Sequence, residues 1–382
     1  MRDASDIRTR HHAPGSGKPV AAIGLFLIAL SSIALAMPSL ARADIVLNDL
    51  KGRTVMLARP ASRILVDDGR TILALSFLTG DPVSLIAAWP HDTDRFGREL
   101  YATYRQRFPA IDALPKSTSS AQDMVAEQVI AAKPDLVVLS LYSHPAEQQL
   151  LQLAKVGIPV IFIDFVADPF ANSDRSLETL GKAVGHEAEA GKVVAFRKQQ
   201  KAVIAERIAG ADPSDRPVVF METHASTQEP CCNSPGTGNV GKFIDFVGAR
   251  NIGDILAGKP FGQISLEYAL ASKPDIYIAS GGEYMARRGG LLIGPRYSAQ
   301  ETRDAMARLL ARPGFSAIPA VANGAVHGLS QQIFNSPLDL LALELVAKWT
   351  HPKLFEDLDI EATRQTLNGF MAVPLTGTYW TN

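Results

Sequence analysis

Cysteine is almost absent from these 382 residues: there are two, Cys231 and Cys232, and they are adjacent. They cannot join distant segments, so a buried apolar core has to hold the fold together. An excess of positive charge is lacking as well. Thirty-eight Lys and Arg stand against 39 Asp and Glu, which leaves no basic signature for a nucleic-acid partner. Beyond the N-terminal region no run is long and apolar enough to span a bilayer, which takes ~20 residues. No nucleophile, base and acid stand at a recognisable spacing, so neither an enzyme nor a resident cofactor is expected.

What is present begins with a leader. Arg2, Arg8, Arg10 and Lys18 come first, then an apolar run from Val20 to about Met37, then Ala41-Arg42-Ala43. Charge, a short apolar segment and small residues, in that order, read as a secretory signal peptide over 1–43, cleaved after Ala43. A membrane anchor is the alternative, but Gly24, Ser31 and Ser32 interrupt the run and Pro38 ends it. No cysteine lies near the cleavage site, so no lipid anchor is expected. The remaining chain carries 33 basic and 37 acidic residues, a net charge of −4, and is expected in the periplasm.

That remainder alternates short apolar runs with helical stretches. Ser62–Val66, Ser84–Ala88, Asp135–Leu139 and Pro159–Ile163 read as strands in the first half; Pro217–Met221, Asp275–Ala279 and Ala325–His327 do so in the second. Apolar strands separated by helices indicate parallel α/β layers. Residues 187–209 contain no proline, carry apolar residues at helical spacing and lie between Gly185 and Gly210, which predicts one long helix. A repeat supports two related lobes. Glu127 to Ser140 recurs as Glu267 to Ser280, with Lys-Pro-Asp at the same place in each copy. Proline ends the helix and starts a turn into the strand. The expected division is a first lobe over 44–171, a connecting segment over 172–211 and a second lobe over 212–382, with a ligand cleft between the lobes.

At this resolution of detail the chain resembles the periplasmic binding proteins of iron-siderophore, haem and cobalamin importers. The resemblance rests on Arg63-Ile64-Leu65, Glu127 to Val138, Gly157-Ile-Pro-Val160, Leu180 to Gly185, Gly248 to Gly253, Arg312 to Phe315, Ile318 to Val321 and Ala347 to Phe355. It implies two α/β lobes joined by a single rigid helix, a monomer, and an ABC permease with its ATPase as partner. It also implies that Glu127 and Glu267, one per lobe, pair with arginines of the permease. Carboxylates on exposed helices suit charge-complementary docking. The ligand implied is an iron complex, a ferric siderophore first, with haem, cobalamin, a bare metal ion or a periplasmic iron-release enzyme as alternatives.

Open α/β sheets place ligands outside the carboxyl ends of their strands. That directs attention to Asp68, Arg70, Trp89 and Tyr142 in the first lobe, and to His224, Tyr284, Arg287, Arg288 and Gln332 in the second. Guanidinium forks suit the carboxylate or catecholate oxygens of an anionic chelate. Trp89, Tyr142 and Tyr284 could stack on a flat ligand or pack within their lobes. A bare metal site would need several of His91, His224, His327, Glu222 and Asp92 to converge, which spacing cannot show. Cys231-Cys232 could form a vicinal disulfide stiffening its loop. Gly236 to Gly241 matches G-x-G-x-x-G, but a long loop separates it from the preceding strand, so no dinucleotide site is expected.

Overall fold

The computed structural model describes residues 44–212 and 214–381; the leader expected over 1–43 lies outside them. An N-terminal hairpin of β1 (Ile45–Asn48) and β2 (Thr54–Leu57) precedes the first sheet. That sheet contains β3 (Ile64–Val66), β4 (Ile86–Ala88), β5 (Leu136–Ser140) and β6 (Val160–Ile163) in the order β4-β3-β5-β6, all parallel. Every residue of these four strands is buried. Parallel strands covered on both faces read as unbroken apolar runs, which is why they were legible in the sequence.

The second half supplies β7 (Val218–Glu222), β8 (Asn233–Pro235), β9 (Arg250–Asn251), β10 (Phe261–Gln263), β11 (Ile276–Gly281), β12 (Val326–Ser330) and β13 (Trp380–Thr381). Five of them form the second sheet, β13-β12-β11-β7-β9, parallel except for β13, which closes one edge antiparallel to β12. β8 and β10 make a separate two-stranded antiparallel ladder. The fold is therefore two α/β lobes, each with a parallel sheet.

The helix Glu187–Ala209 connects them, with Gly210 at its C-terminal cap. It packs against Pro169–Val184 and against Asp339–Thr350, a helix buried along nearly its whole length. Arg197 anchors this joint. Its guanidinium is fully buried, with Nε 2.5 Å from Asp174 Oδ1, Nη2 2.8 Å from Asp339 Oδ1, and Nη1 donating to the Pro337 carbonyl at 2.6 Å. One apolar cluster runs from Ile64 and Val138 in the first sheet through Val193 of the connecting helix to Met221 and Leu329 in the second. The lobes share that core, and Asp44 onward forms one compact unit.

The repeat has a structural counterpart. Lys133 and Lys273 both adopt left-handed φ, 49° in each case, at the turn that ends their helices. Asp135 then accepts from the backbone N–H groups of Ser62 and Arg63, and Asp275 accepts from that of Val218. In each lobe the Pro-Asp step thus pins the start of one buried strand to the start of its neighbour.

Candidate functional site

A cavity of about 610 Å³ lies between the two sheets. Its lining comes from segments that follow the strand ends: Arg70 after β3, Arg95 and Arg98 after β4, Tyr142 after β5, His224 after β7, Tyr284 and Arg288 after β11, and Gln332 and Asn335 after β12. Both sheets therefore present their carboxyl ends to one space, the position at which α/β sheets take ligands. The volume falls within the usual range of small-molecule sites, ~300–1,000 Å³.

Positive charge dominates the lining. Arg70, Arg95, Arg98 and Arg288 reach it, against Asp94 and Glu283. Asp68 lies beneath, buried, and orients two of the four. It takes Arg70 at two points, Nη2–Oδ2 2.6 Å and Nε–Oδ1 2.9 Å, and stands 3.4 Å from Arg95 Nη1. Arg95 also donates to Ser120 Oγ at 2.5 Å. Burial opposes the charge on Asp68, but the Arg70 guanidinium outweighs it and holds the carboxyl below its ordinary range. Burial, then the charge of Asp68, pushes the neighbouring Asp92 up to about 7. Asp67, on the other side of Asp68, is likewise pushed up to about 7 by burial, despite accepting from Ser143 and from the backbone N–H of Ser140.

On the facing wall Tyr284 and His224 form a pair, hydroxyl to Nδ1 at 2.8 Å. Burial, then the charge of Arg288, lowers the His224 pKa, which favours the neutral ring. Burial raises the pKa of both Tyr142 and Tyr284, keeping them as neutral hydroxyls. Hydrogen bonds cross the cleft around this space. Arg70 Nη1 donates to the Asn335 carbonyl at 3.4 Å, Gln332 Nε2 to the Phe96 carbonyl at 3.5 Å, and the Asn239 backbone N–H to the Ala167 carbonyl at 2.9 Å. Gly97 is needed for the second of these. Its φ is +95°, and a Cβ there would lie 1.6 Å from Gln332 Nε2.

The family model described as periplasmic binding protein matches residues 75–333, more than half of the sequence. The chain belongs to the periplasmic binding protein family. Among curated proteins it is similar to the vitamin B12-binding protein of Photorhabdus laumondii, 27% identical over 164 residues. That match covers 42% of this chain and 55% of the relative, so it spans about half of the relative's length. The TroA-like periplasmic binding protein FepB from Veillonella parvula superposes with a TM-score of 0.78 at 24% identity, covering 88% of this chain and 99% of that one. The molybdate periplasmic binding protein MolA of Haemophilus influenzae gives 0.64 at 18% identity, covering 86% and 97%. A periplasmic heme binding protein from Pseudomonas aeruginosa gives 0.53 at 19%, covering 77% and 94%. These structures share the fold and differ in the ligand their names carry.

Six of the nine residues singled out from the sequence border the cavity: Arg70, Tyr142, His224, Tyr284, Arg288 and Gln332. Three do not. Trp89 is fully buried, stacked on His91 at 4.6 Å and packed against Phe96 and Tyr101, so no face is left for a ligand. It ends the run from β4, and the segment after it, not Trp89 itself, turns toward the cleft. Asp68 supports the site from below. Arg287 is exposed and outside the lining, because the short helix Glu283–Arg288 turns Tyr284 and Arg288, and not Arg287, toward the cleft.

Arg95, Arg98 and Asn335 were not singled out. Asp94-Arg95 and Arg98 follow directly on the expected loop ending at Asp92, and their alternating charges were the available signal. The histidines do not converge. His91 bonds the Leu114 carbonyl, and His327 is stacked on Trp349 and pushed down to about 4 by burial. Among the described residues, the group with metal-ligating reach is Glu222, Cys231 and Cys232. There the two cysteines are disulfide-bonded to each other and Arg312 holds the Glu222 carboxylate, so it is poorly suited to a metal ion. The Gly236–Gly241 loop packs against Ala167 and Pro260 and stands outside the cavity lining.

Proposed function

We propose that this chain captures an anionic iron complex, a ferric siderophore, in the periplasm and delivers it to an ABC permease and its ATPase. The observation that carries the reading is the set of four arginines from both lobes around one cavity between the sheets. Guanidinium groups donate in planar pairs that match catecholate, hydroxamate or carboxylate oxygens, and partial burial strengthens them. Tyr142, Tyr284, neutral His224 and Gln332 add uncharged hydrogen-bonding positions. No bond is made or broken in this scheme; affinity comes from enclosing the ligand.

Residues 1–43 would direct export and be cleaved in the process, and no described helix is long and apolar enough to cross a membrane. We place the lobe boundaries at 44–171 and 212–382, with the segment 172–211 between them and a monomer as the working unit. Glu127 and Glu267 are exposed in the first turns of their helices, Ala126–Ala132 and Leu266–Ala271, and would meet the permease.

A titration of the purified protein tests this. Ferric tris-catecholate, ferric hydroxamate and ferric citrate complexes, haem, cobalamin and bare ferric ion would each be added while intrinsic fluorescence is followed. Trp89, packed just behind the cavity wall, is the expected reporter. Saturable binding of a ferric chelate in preference to haem, cobalamin and the bare ion is the expected result. Preference for any of the last three would replace the reading.

A further inference from the structure

A second cavity, of about 530 Å³, lies against the first and shares His224 and Arg288 with it. Glu222, Thr223 and Ser226 form its buried inner wall, and Glu229 and Gln263 stand exposed at its rim. Backbone pairing builds this wall. Asn233 of β8 lies directly opposite Gln263 of β10, and Cys232 and Ile264 exchange N–H to carbonyl bonds at 3.1 and 2.9 Å. The ladder and the end of β7 thus fix the chamber's inner wall, and the exposed side chains of Glu229, Gln263 and Arg288 border it.

Its chemistry differs from that of the main cavity. Arg288 is the one cation in its lining, and Glu229 faces that guanidinium at 3.7 Å. The Glu222 carboxylate is already used: Arg312 donates to it at 2.8 and 2.5 Å, and the Tyr277 hydroxyl at 2.5 Å. The other polar groups are amides and hydroxyls, from Thr223, Ser226, Asn233 and Gln263. A cavity with an excess of positive charge thus adjoins a near-neutral, hydrogen-bonding one of similar size. His224, held by Tyr284, marks the threshold between them.

We propose that the side chamber receives an uncharged polar arm of the ligand, bearing amide or hydroxyl groups, while the anionic metal-chelate portion sits against the arginines. This rests on the chelate-binding reading above and narrows it to chelates with a pendant arm. A charged arm gains little there, because the one available guanidinium already faces Glu229 and is shared with the main cavity. The wall's own amide donors are used internally, Asn233 Nδ2 on Thr223 and Gln263 Nε2 on the Pro230 carbonyl. What the chamber offers an arm is therefore acceptors, the side-chain carbonyls of Asn233 and Gln263, which an amide N–H or hydroxyl can meet and an alkyl group cannot.

Calorimetry with three ferric tris-catecholate probes on one tripodal scaffold tests the proposal. One probe has no arm, one a short arm ending in a primary amide, and one an arm of equal length ending in an alkyl group. The amide probe is expected to bind about tenfold more tightly than either other probe, ~1.4 kcal/mol. In Gln263→Trp, which fills the chamber mouth, the ratio of amide-armed to armless affinity should fall below about twofold, and Glu229→Trp provides a second blocking variant. Equal binding of all three probes by the unmodified protein overturns the proposal and leaves the chelate reading intact. A tenfold advantage that survives both blocking variants also overturns it, since the arm would then lie elsewhere. Failure of all three probes to bind overturns the proposal as stated for a catecholate chelate, and the hydroxamate and citrate titrations above then decide the chelate reading separately.

Discussion

Asp68 grips Arg70 at two points, 2.6 and 2.9 Å, and so fixes a guanidinium that belongs to one lobe in position to reach the Asn335 carbonyl of the other. Arg70 is consequently held in place before any ligand arrives, and a charge-assisted bond to it needs little further ordering. Arg70→Ala should weaken binding of an anionic ferric chelate by ~1.5–3 kcal/mol. Arg287→Ala should leave it unchanged, because that side chain points away from the cavity. Calorimetric titration of both variants checks the contrast. Equal losses would mean that bulk charge, and not placement, attracts the ligand.

Arg197 carries a different load. With Asp174 and Asp339 it forms a fully enclosed cluster joining the connecting helix to the two helices beside it. Removing Arg197 strands buried Asp339, while Asp174 keeps Lys201 Nζ at 2.9 Å; breaking a buried pair in this way costs about 3–5 kcal/mol. Arg197→Met should destabilise the protein by that order in urea denaturation. Little or no loss would show that water reaches the carboxylates in solution.

Glu344 gives stability a pH dependence of definite sign. It is buried on the helix Asp339–Thr350, accepts from Thr363 Oγ1 at 3.0 Å, and burial pushes its pKa up to about 8. The folded state therefore holds a proton that the unfolded chain has released above its ordinary pKa of about 4.3. Stability from this group is greatest at low pH and is lost as pH rises toward 8. Between pH 7 and 8 the loss should be about 1 kcal/mol. Buried His327, whose shift acts in the opposite direction, contributes little there, being neutral in the folded state and mostly neutral in the unfolded one. Glu344→Gln should reduce the slope of that part of the profile, as measured by urea denaturation at the two pH values, leaving the smaller part that Asp67 and Asp92, both pushed up to about 7, contribute with the same sign. A slope equal to that of the parent protein would place the titration elsewhere.

Glu127 and Glu267 stand at matched places in the repeat, each exposed in a first helical turn. Exposed ion pairs contribute singly only ~0.2–1 kcal/mol, so their use would be in orientation and encounter rate. The double change Glu127→Ala with Glu267→Ala should leave the ligand dissociation constant unaltered and reduce uptake in cells. The defect in complex formation with the permease should itself depend on salt, being largest at low ionic strength. Full uptake by the double variant would show that these carboxylates are only solvated.

Much of the framework could be read in advance because it is written in local pattern. The fully buried strands β5, β6 and β11 appear as apolar runs, and the helix Glu187–Ala209 lies between its glycines as expected. Short pieces were missed: the hairpin of β1 and β2, the ladder of β8 and β10, and the edge strand β13. Unlike the equally short β3, β4 and β6, these strands are not buried throughout, so they do not stand out as apolar runs.

The sequence by itself determined the class of fold, its two related halves and the loops from which a site could be assembled, since those follow from strand burial, helix spacing and the Lys-Pro-Asp turns. Only the tertiary structure decided which loop residues face the cleft. Trp89 and Arg287 had as good a claim on paper as Tyr142 and Arg288, yet one is packed behind the wall and the other turned to solvent. A loop's side chains point where the neighbouring segments leave room. At Trp89 that room is taken by Phe96 and Tyr101, and Arg95 and Arg98 reach the cavity in its place. The segments that compete for such space are far apart along the chain and meet only when the two lobes close over a common core.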